Sequence, residues 1–423
     1  MRNKRKHDEF QISVLVSFIF SIASSLLNYI FQMVIAKMLT VEEFGAYNSI
    51  SAFSTNLAIV FTPLSIMTCQ LTANWGNNLK HNRIIYRQIL LIGLGGAFIL
   101  GILGIFMYPY MEGKFGISSF FSLESILVMT GLSGIYNILY SFVQGRKKFV
   151  IYGIIGTSLI IIKIIISVMN IQLKQGILGV VEAMLFSYLI MCIFSGIYMK
   201  KSINAETQTE TEIPKLSFQD IVKMYGFTFL TQIIASFYIN GGDIILIEAF
   251  FSSKEVGLYS SATLIGKVGL YVISIISVVL LPTVAEKKSK GENTMKTLCA
   301  CLAISLILGI AYAIFLRIVG KNIIPMLFGE KYEEAFHILP YVMFYTIPLG
   351  LLNIVHSYFL GTGKVKIYSG ILLAITMGAF FIIKNIFNEV KYVPIILGIA
   401  IWLVIILNII ILMLQQRRSE NEC

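Results

Sequence analysis

The chain has 423 residues, of which 57% are hydrophobic and only 13% charged, and its mean hydropathy is +0.82. Soluble domains carry about a quarter charged residues, so this composition excludes a soluble protein and indicates a polytopic membrane protein. The net charge of +11 is then a topology signal rather than a sign of nucleic acid, because Lys and Arg accumulate in cytoplasmic loops.

The N-terminus, MRNKRKHDEF, is basic and runs into about twenty apolar residues without a small-residue cleavage site, which predicts a retained first span. Apolar runs long enough to cross a ~30 Å hydrocarbon core lie near 11–36, 44–69, 88–108, 120–143, 149–169 and 177–199. A second set lies near 223–249, 256–281, 297–318, 336–360, 367–386 and 393–414. Between the sets, SINAETQTETEIPKLSFQD (202–220) is polar, rich in Thr and Glu, and contains Pro214. The pattern predicts an all-α membrane protein of twelve transmembrane helices in two six-helix lobes, 1–201 and 221–423, joined by the linker 202–220.

Orientation follows from the basic residues. Arg2, Lys4, Arg5 and Lys6, then Arg146, Lys147 and Lys148, then Lys287, Lys288 and Lys290, then Arg417 and Arg418 all fall on one side of the predicted bundle. That side is expected to be cytoplasmic, with both termini and the linker on it. The basic clusters are also placed to meet anionic membrane lipids.

Two stretches are the same stretch written twice. LTVEEFGAYNS (39–49) and FSSKEVGLYSS (251–261) share Glu43/Glu255, Gly45/Gly257 and Tyr47/Tyr259 at one spacing, 259 − 47 = 212 for the tyrosines. Each copy lies between two apolar runs, as a tight turn between membrane helices does. Ser24 and Asn28 recur as Ser236 and Asn240, and Gly145, Lys148 and Tyr152 recur as Gly361, Lys364 and Tyr368. Such duplication is read first because it sets the architecture.

No catalytic constellation is present. The histidines His7, His81, His337 and His356 are scattered, and no Gly-rich phosphate loop occurs. The five cysteines have no metal-ligand spacing and read as small apolar fillers. Neither a metal nor a cofactor is expected.

Polar residues instead form stripes on four helices. The first carries Ser17, Ser21, Ser24, Asn28 and Gln32; the second Asn48, Ser51, Thr55 and Asn56. The seventh carries Thr228, Gln232, Ser236, Asn240 and Asp243; the eighth Ser260, Thr263, Lys267, Tyr271 and Ser274. Lipid cannot satisfy such stripes, so they imply a shared cavity between the halves. A charge near the bilayer interior costs at least about 2.5–3.5 kcal/mol and marks pathways, which singles out Asp243 and Lys267. Lys163 and Glu182, on adjacent fifth and sixth helices, are expected to neutralise each other. His356 and Asn353 are expected to be packing groups.

The turn LTVEEFGAYNS and its copy FSSKEVGLYSS resemble the L-x-x-x-E-[FY]-G-x-Y turn of bacterial polysaccharide-repeat-unit flippases, the Wzx-type transporters of the MATE-like MOP superfamily. NGGDIILIEAFFSSKEVGLYSSATLIGK (240–267), MLFGEKYEEAFHILP (326–340) and LGTGKVKIY (360–368) are similar to later segments of the same family. The resemblance implies alternating access and transport of a lipid-linked oligosaccharide on an undecaprenyl diphosphate carrier, from the cytoplasmic to the outer leaflet. It also implies a bacterial cytoplasmic (inner) membrane and, as partners, a polysaccharide polymerase and a chain-length regulator. Within this picture Lys267 would attract the diphosphate, while Asn28, Gln32, Asn56, Gln232, Asn240 and Tyr271 would line the substrate cavity. Asp243 would couple transport to a proton or sodium gradient. The first two helices carry no Lys or Arg within the membrane, so the cavity is less cationic than in lipid II flippases of the superfamily. Two alternatives stand beside this reading, a cation-coupled multidrug antiporter of the MATE type and a membrane polysaccharide polymerase.

Overall fold

The computed structural model describes residues 2–75, 87, 90–102, 120–146, 148–204, 233–290, 292–362, 365–385 and 389–421. Among these residues every regular element is helical and no strand occurs. In lipid a helix satisfies each backbone N–H within its own segment, which suits a chain this apolar. Eight described helices are long and apolar enough to cross a membrane, or nine if one bent pair is a single span. The protein is therefore a multi-pass membrane protein. The linker from 205 onward and Gln232 lie outside the described residues.

Contacts divide the chain into two compact units, Met1–Ile221 and Val222–Cys423. In the first unit the helices are α1 (Arg2–Met38), α2 (Val41–Ala58), α3 (Thr62–Trp75), α4 (Leu90–Ile102), α5 (Phe120–Gly145), α6 (Phe149–Gln172) and α7 (Gly176–Asn204). α1 packs along α6, α6 along α7, α7 along α5, and α5 along α3. A 3-10 turn, Ile59–Phe61, joins α2 to α3 and buries Phe61 against Met67, Leu100 and Ile138.

The repeated turn has a physical explanation in both units. Thr40 caps α2: its hydroxyl accepts from the Glu43 N–H at 3.1 Å, and the Glu43 carboxylate accepts from the Thr40 N–H at 2.9 Å. This reciprocal box satisfies donors that a helix N-terminus otherwise leaves unpaired. Ser252 and Glu255 repeat it, with the Glu255 carboxylate accepting from the Ser252 N–H at 3.0 Å and from its hydroxyl at 2.7 Å. In the first unit the α6–α7 turn docks on this cap, since a Cβ on Gly176 would lie 2.6 Å from Glu43 Oε1.

In the second unit the helices are α8 (Ile233–Ile239), α9 (Gly242–Phe250), α10 (Ser253–Ser289), α11 (Met295–Phe328), α12 (Ala335–Thr362), α13 (Val365–Asn385) and α14 (Tyr392–Asn421). α12 is its centre and packs on α10, α11 and α14. The run expected near 223–249 is not one straight helix. Its described part breaks into α8 and α9, which meet at 68°. The break falls at Gly241, whose backbone is left-handed (φ 84°, ψ 26°), a conformation that costs other residues about 1–2 kcal/mol.

Candidate functional site

A helix break at membrane depth exposes carbonyls at one end and N–H groups at the other, and each needs a partner. The carbonyls of α8 are met by side chains from two other helices. Tyr345 of α12 donates its hydroxyl to the Tyr238 carbonyl at 2.7 Å, and Lys267 of α10 donates to the Ile239 carbonyl at 3.3 Å. The Tyr238 hydroxyl shares a hydrogen bond with Thr376 Oγ1 of α13 at 2.9 Å.

On the other side of the break, Asp243 stands in the first turn of α9, where the positive end of the helix dipole favours a carboxylate. Its Oδ2 accepts from the Tyr259 hydroxyl at 2.9 Å, and its Oδ1 lies 3.6 Å from the Lys267 ammonium. Asp243 is fully buried and Lys267 is 8% exposed. Burial of an isolated carboxylate is prohibitive. Here an ammonium, a hydroxyl and a helix N-terminus offset it together. The charges expected to stand out in the sequence are thus one ion pair, placed so that anion and cation each match the helix end beside them. Asp243 Oδ1, the oxygen that faces the Lys267 ammonium, has no hydrogen-bond partner among the described residues.

The first unit presents a different chemistry at the matching positions. Phe31 stands 212 residues before Asp243 (243 − 31), and the Tyr47 ring packs edge-on against it with centroids 6.0 Å apart. A cation is present here too, but from another helix. Lys163 of α6 places its ammonium 4.1 Å from the centre of the Phe31 ring and donates to Asn28 Oδ1 of α1 at 3.0 Å. The expected neutralisation of Lys163 by Glu182 is overturned: among the described residues no ion pair joins them, because Lys163 is directed at α1 whereas Glu182 belongs to α7.

The other predicted residues are more dispersed. Asn240 sits in the break beside Gly241, and Tyr271 lies one turn past Lys267 and is exposed. Gln32 is half-buried, and its Oε1 has no hydrogen-bond partner among the described residues. Asn56 donates its amide to the Ala52 carbonyl at 2.8 Å, Asn48 to the Phe44 carbonyl at 2.8 Å, and Thr55 its hydroxyl to the Ser51 carbonyl at 2.7 Å. These donors serve their own helix. His356 packs its ring on Tyr368 at 5.5 Å. Sequence reasoning missed Tyr259 and Tyr345 as ligands of the break, the buried Glu248 of α9, and Gly241 itself. The Gly241–Gly242 pair inside an apolar run was the available signal.

The sequence profile described as "Polysaccharide biosynthesis protein" matches residues 34–337. The chain belongs to the polysaccharide biosynthesis protein family. This family member is 25% identical over 364 residues to the capsular polysaccharide biosynthesis protein CapF of Staphylococcus aureus, a match covering 82% of this chain and 83% of that one. Its fold is similar to that of a multidrug resistance MATE family transporter of the MOP superfamily solved in an inward-facing conformation, with a TM-score of 0.69 at 14% identity over 96% of this chain and 98% of the other. It also matches the lipid II flippase MurJ in an inward closed conformation, with a TM-score of 0.66 at 16% identity over 92% and 86% of the two chains. The expected resemblance to a polysaccharide biosynthesis family and to a MATE-like fold is borne out.

Proposed function

We propose that this polysaccharide biosynthesis family member is a flippase. It carries an undecaprenyl-diphosphate-linked oligosaccharide repeat unit from the cytoplasmic to the outer leaflet of the bacterial inner membrane, by alternating access. In this reading the chain forms twelve spans in two six-helix lobes, with both termini cytoplasmic, and performs no covalent chemistry. The single observation that carries it is a buried ion pair, Asp243 with Lys267, at a helix break in a member of a polysaccharide biosynthesis family. The capsule-related relative and the fold shared with a lipid II flippase support the same reading.

The ion pair suggests how coupling works. While Asp243 is ionised, Lys267 is neutralised by it. A proton or sodium ion on Oδ1, the oxygen that faces the ammonium, cancels that charge and releases the ammonium to attract a phosphate. A carboxylate alone would suit a small cationic substrate, and the MATE-like fold keeps a cation-coupled drug antiporter as the second reading.

Deletion of the gene, followed by complementation with wild type, Asp243→Asn and Lys267→Ala, separates the two. The flippase reading expects loss of surface polysaccharide, accumulation of lipid-linked intermediates on the cytoplasmic side, and no rescue by variants that reach the membrane. Unchanged polysaccharide with new sensitivity to cationic compounds would replace it by the antiporter.

A further inference from the structure

Lys163 is a cation at membrane depth that the coupling scheme does not use. It stands past the middle of α6, where a charge costs at least about 2.5–3.5 kcal/mol. Lys267 offsets that cost with Asp243. Among the described residues, Lys163 has no carboxylate within ion-pair distance. Its ammonium is held by the face of Phe31 and the amide oxygen of Asn28. An aromatic face attracts a cation without neutralising it, so no counterion among the described residues cancels the charge of this lysine.

The geometry also makes the site a multiple donor. An ammonium only donates, so the oxygen of Asn28 must face it, which leaves the Asn28 amide nitrogen as a second donor group beside the charge. One of the three ammonium hydrogens goes to Asn28 and at most one to the face of Phe31, which leaves at least one for a further acceptor. Lys163 is half-buried, and Asn28 beside it is exposed. Hydrocarbon cannot satisfy a charged and polar surface of this kind, so water or a polar ligand covers it. A ligand that supplies several acceptor oxygens and negative charge is the chemical complement.

We propose that Lys163 and Asn28 form an anion site that holds phosphate oxygens of the lipid carrier's diphosphate. The assignment rests on the flippase reading above. It differs from that reading in placing a standing phosphate contact in the first unit, independent of the protonation of Asp243. Phe31 orients the ammonium, and Lys267 is a conditional contact rather than the principal one.

The test uses the full chain in nanodiscs of neutral phosphatidylcholine, with undecaprenyl diphosphate as probe, uncharged undecaprenol as control and phosphatidylglycerol as competitor. Wild type should bind the diphosphate at least about tenfold more tightly than undecaprenol, as charge-assisted hydrogen bonds to phosphate provide. Lys163→Gln should erase that preference and Lys163→Arg should retain it. Asn28→Asp, which keeps shape but supplies a neutralising carboxylate to Lys163, should erase it as well. If either Asn28→Asp or a normally melting Lys163→Gln protein still prefers the diphosphate, the proposal falls and the flippase reading stands. If phosphatidylglycerol displaces the probe on equal terms, the site is a general headgroup contact and the carrier assignment falls. A wild type that does not distinguish diphosphate from undecaprenol removes the proposal and the reading together.

Discussion

Tyr259 donates its hydroxyl to Asp243 at 2.9 Å, a bond with no counterpart in the first copy of the repeated turn, where Phe31 offers a ring in place of the carboxylate. Tyr47, at the matching place, is equally buried but packs on Phe31. One scaffold therefore holds a carboxylate in one unit and a phenyl ring in the other, and each recruits its own lysine, Lys267 and Lys163.

Asp243→Asn strands the Lys267 ammonium without its counterion. Loss of one partner of a buried pair costs about 3–5 kcal/mol, so the purified variant should melt well below wild type. Asp243→Asn combined with Lys267→Met should recover much of the loss, because removal of both charges leaves neither unpaired. Thermal unfolding of wild type, Asp243→Asn, Lys267→Met and the double variant in detergent measures the coupling; additive effects would show that the pair does not interact.

Tyr259→Phe removes a hydrogen bond to a charged group, worth about 1.5–3 kcal/mol, while the ring keeps its packing. The expected result is a lower melting temperature with normal membrane insertion. Equal melting of the variant and wild type would mean that Asp243 is stabilised by Lys267 and the helix end alone.

Gly241→Ala forces a side chain into a left-handed backbone, at a cost of about 1–2 kcal/mol. Gly241→Asn should cost less, since asparagine tolerates that conformation. The order of melting temperatures, glycine above asparagine above alanine, checks the break directly. Alanine as stable as glycine would indicate a continuous helix in the membrane.

Thr40→Ala and Ser252→Ala each remove a helix cap, and caps of this kind contribute about 0.5–2 kcal/mol. The two variants should therefore lose similar stability, and the double variant should lose roughly the sum, since each cap serves its own helix. Thermal unfolding again supplies the measurement, and a silent Ser252→Ala would separate the copies energetically.

What the sequence determined by itself is everything that local chemistry controls. Hydropathy summed along each run identified a multi-pass helical membrane protein, because transfer into lipid is nearly additive over a segment. The copies LTVEEFGAYNS and FSSKEVGLYSS were legible because a capping box closes within one turn, from Thr40 to Glu43 and from Ser252 to Glu255. Asp243 and Lys267 were conspicuous because each is costly in lipid whatever its neighbours. Which groups meet was decided only by the tertiary structure. Lys163 reaches Asn28 across 135 residues and Tyr345 reaches the Tyr238 carbonyl across 107, and no periodicity encodes a contact of that range. The wrong partner for Lys163 shows the limit: adjacency in sequence suggested Glu182, but the packing of α6 on α1 turned the ammonium to an aromatic face. The same packing leaves that cation without a carboxylate among the described residues, because the direction of a side chain depends on which helix its own helix lies against.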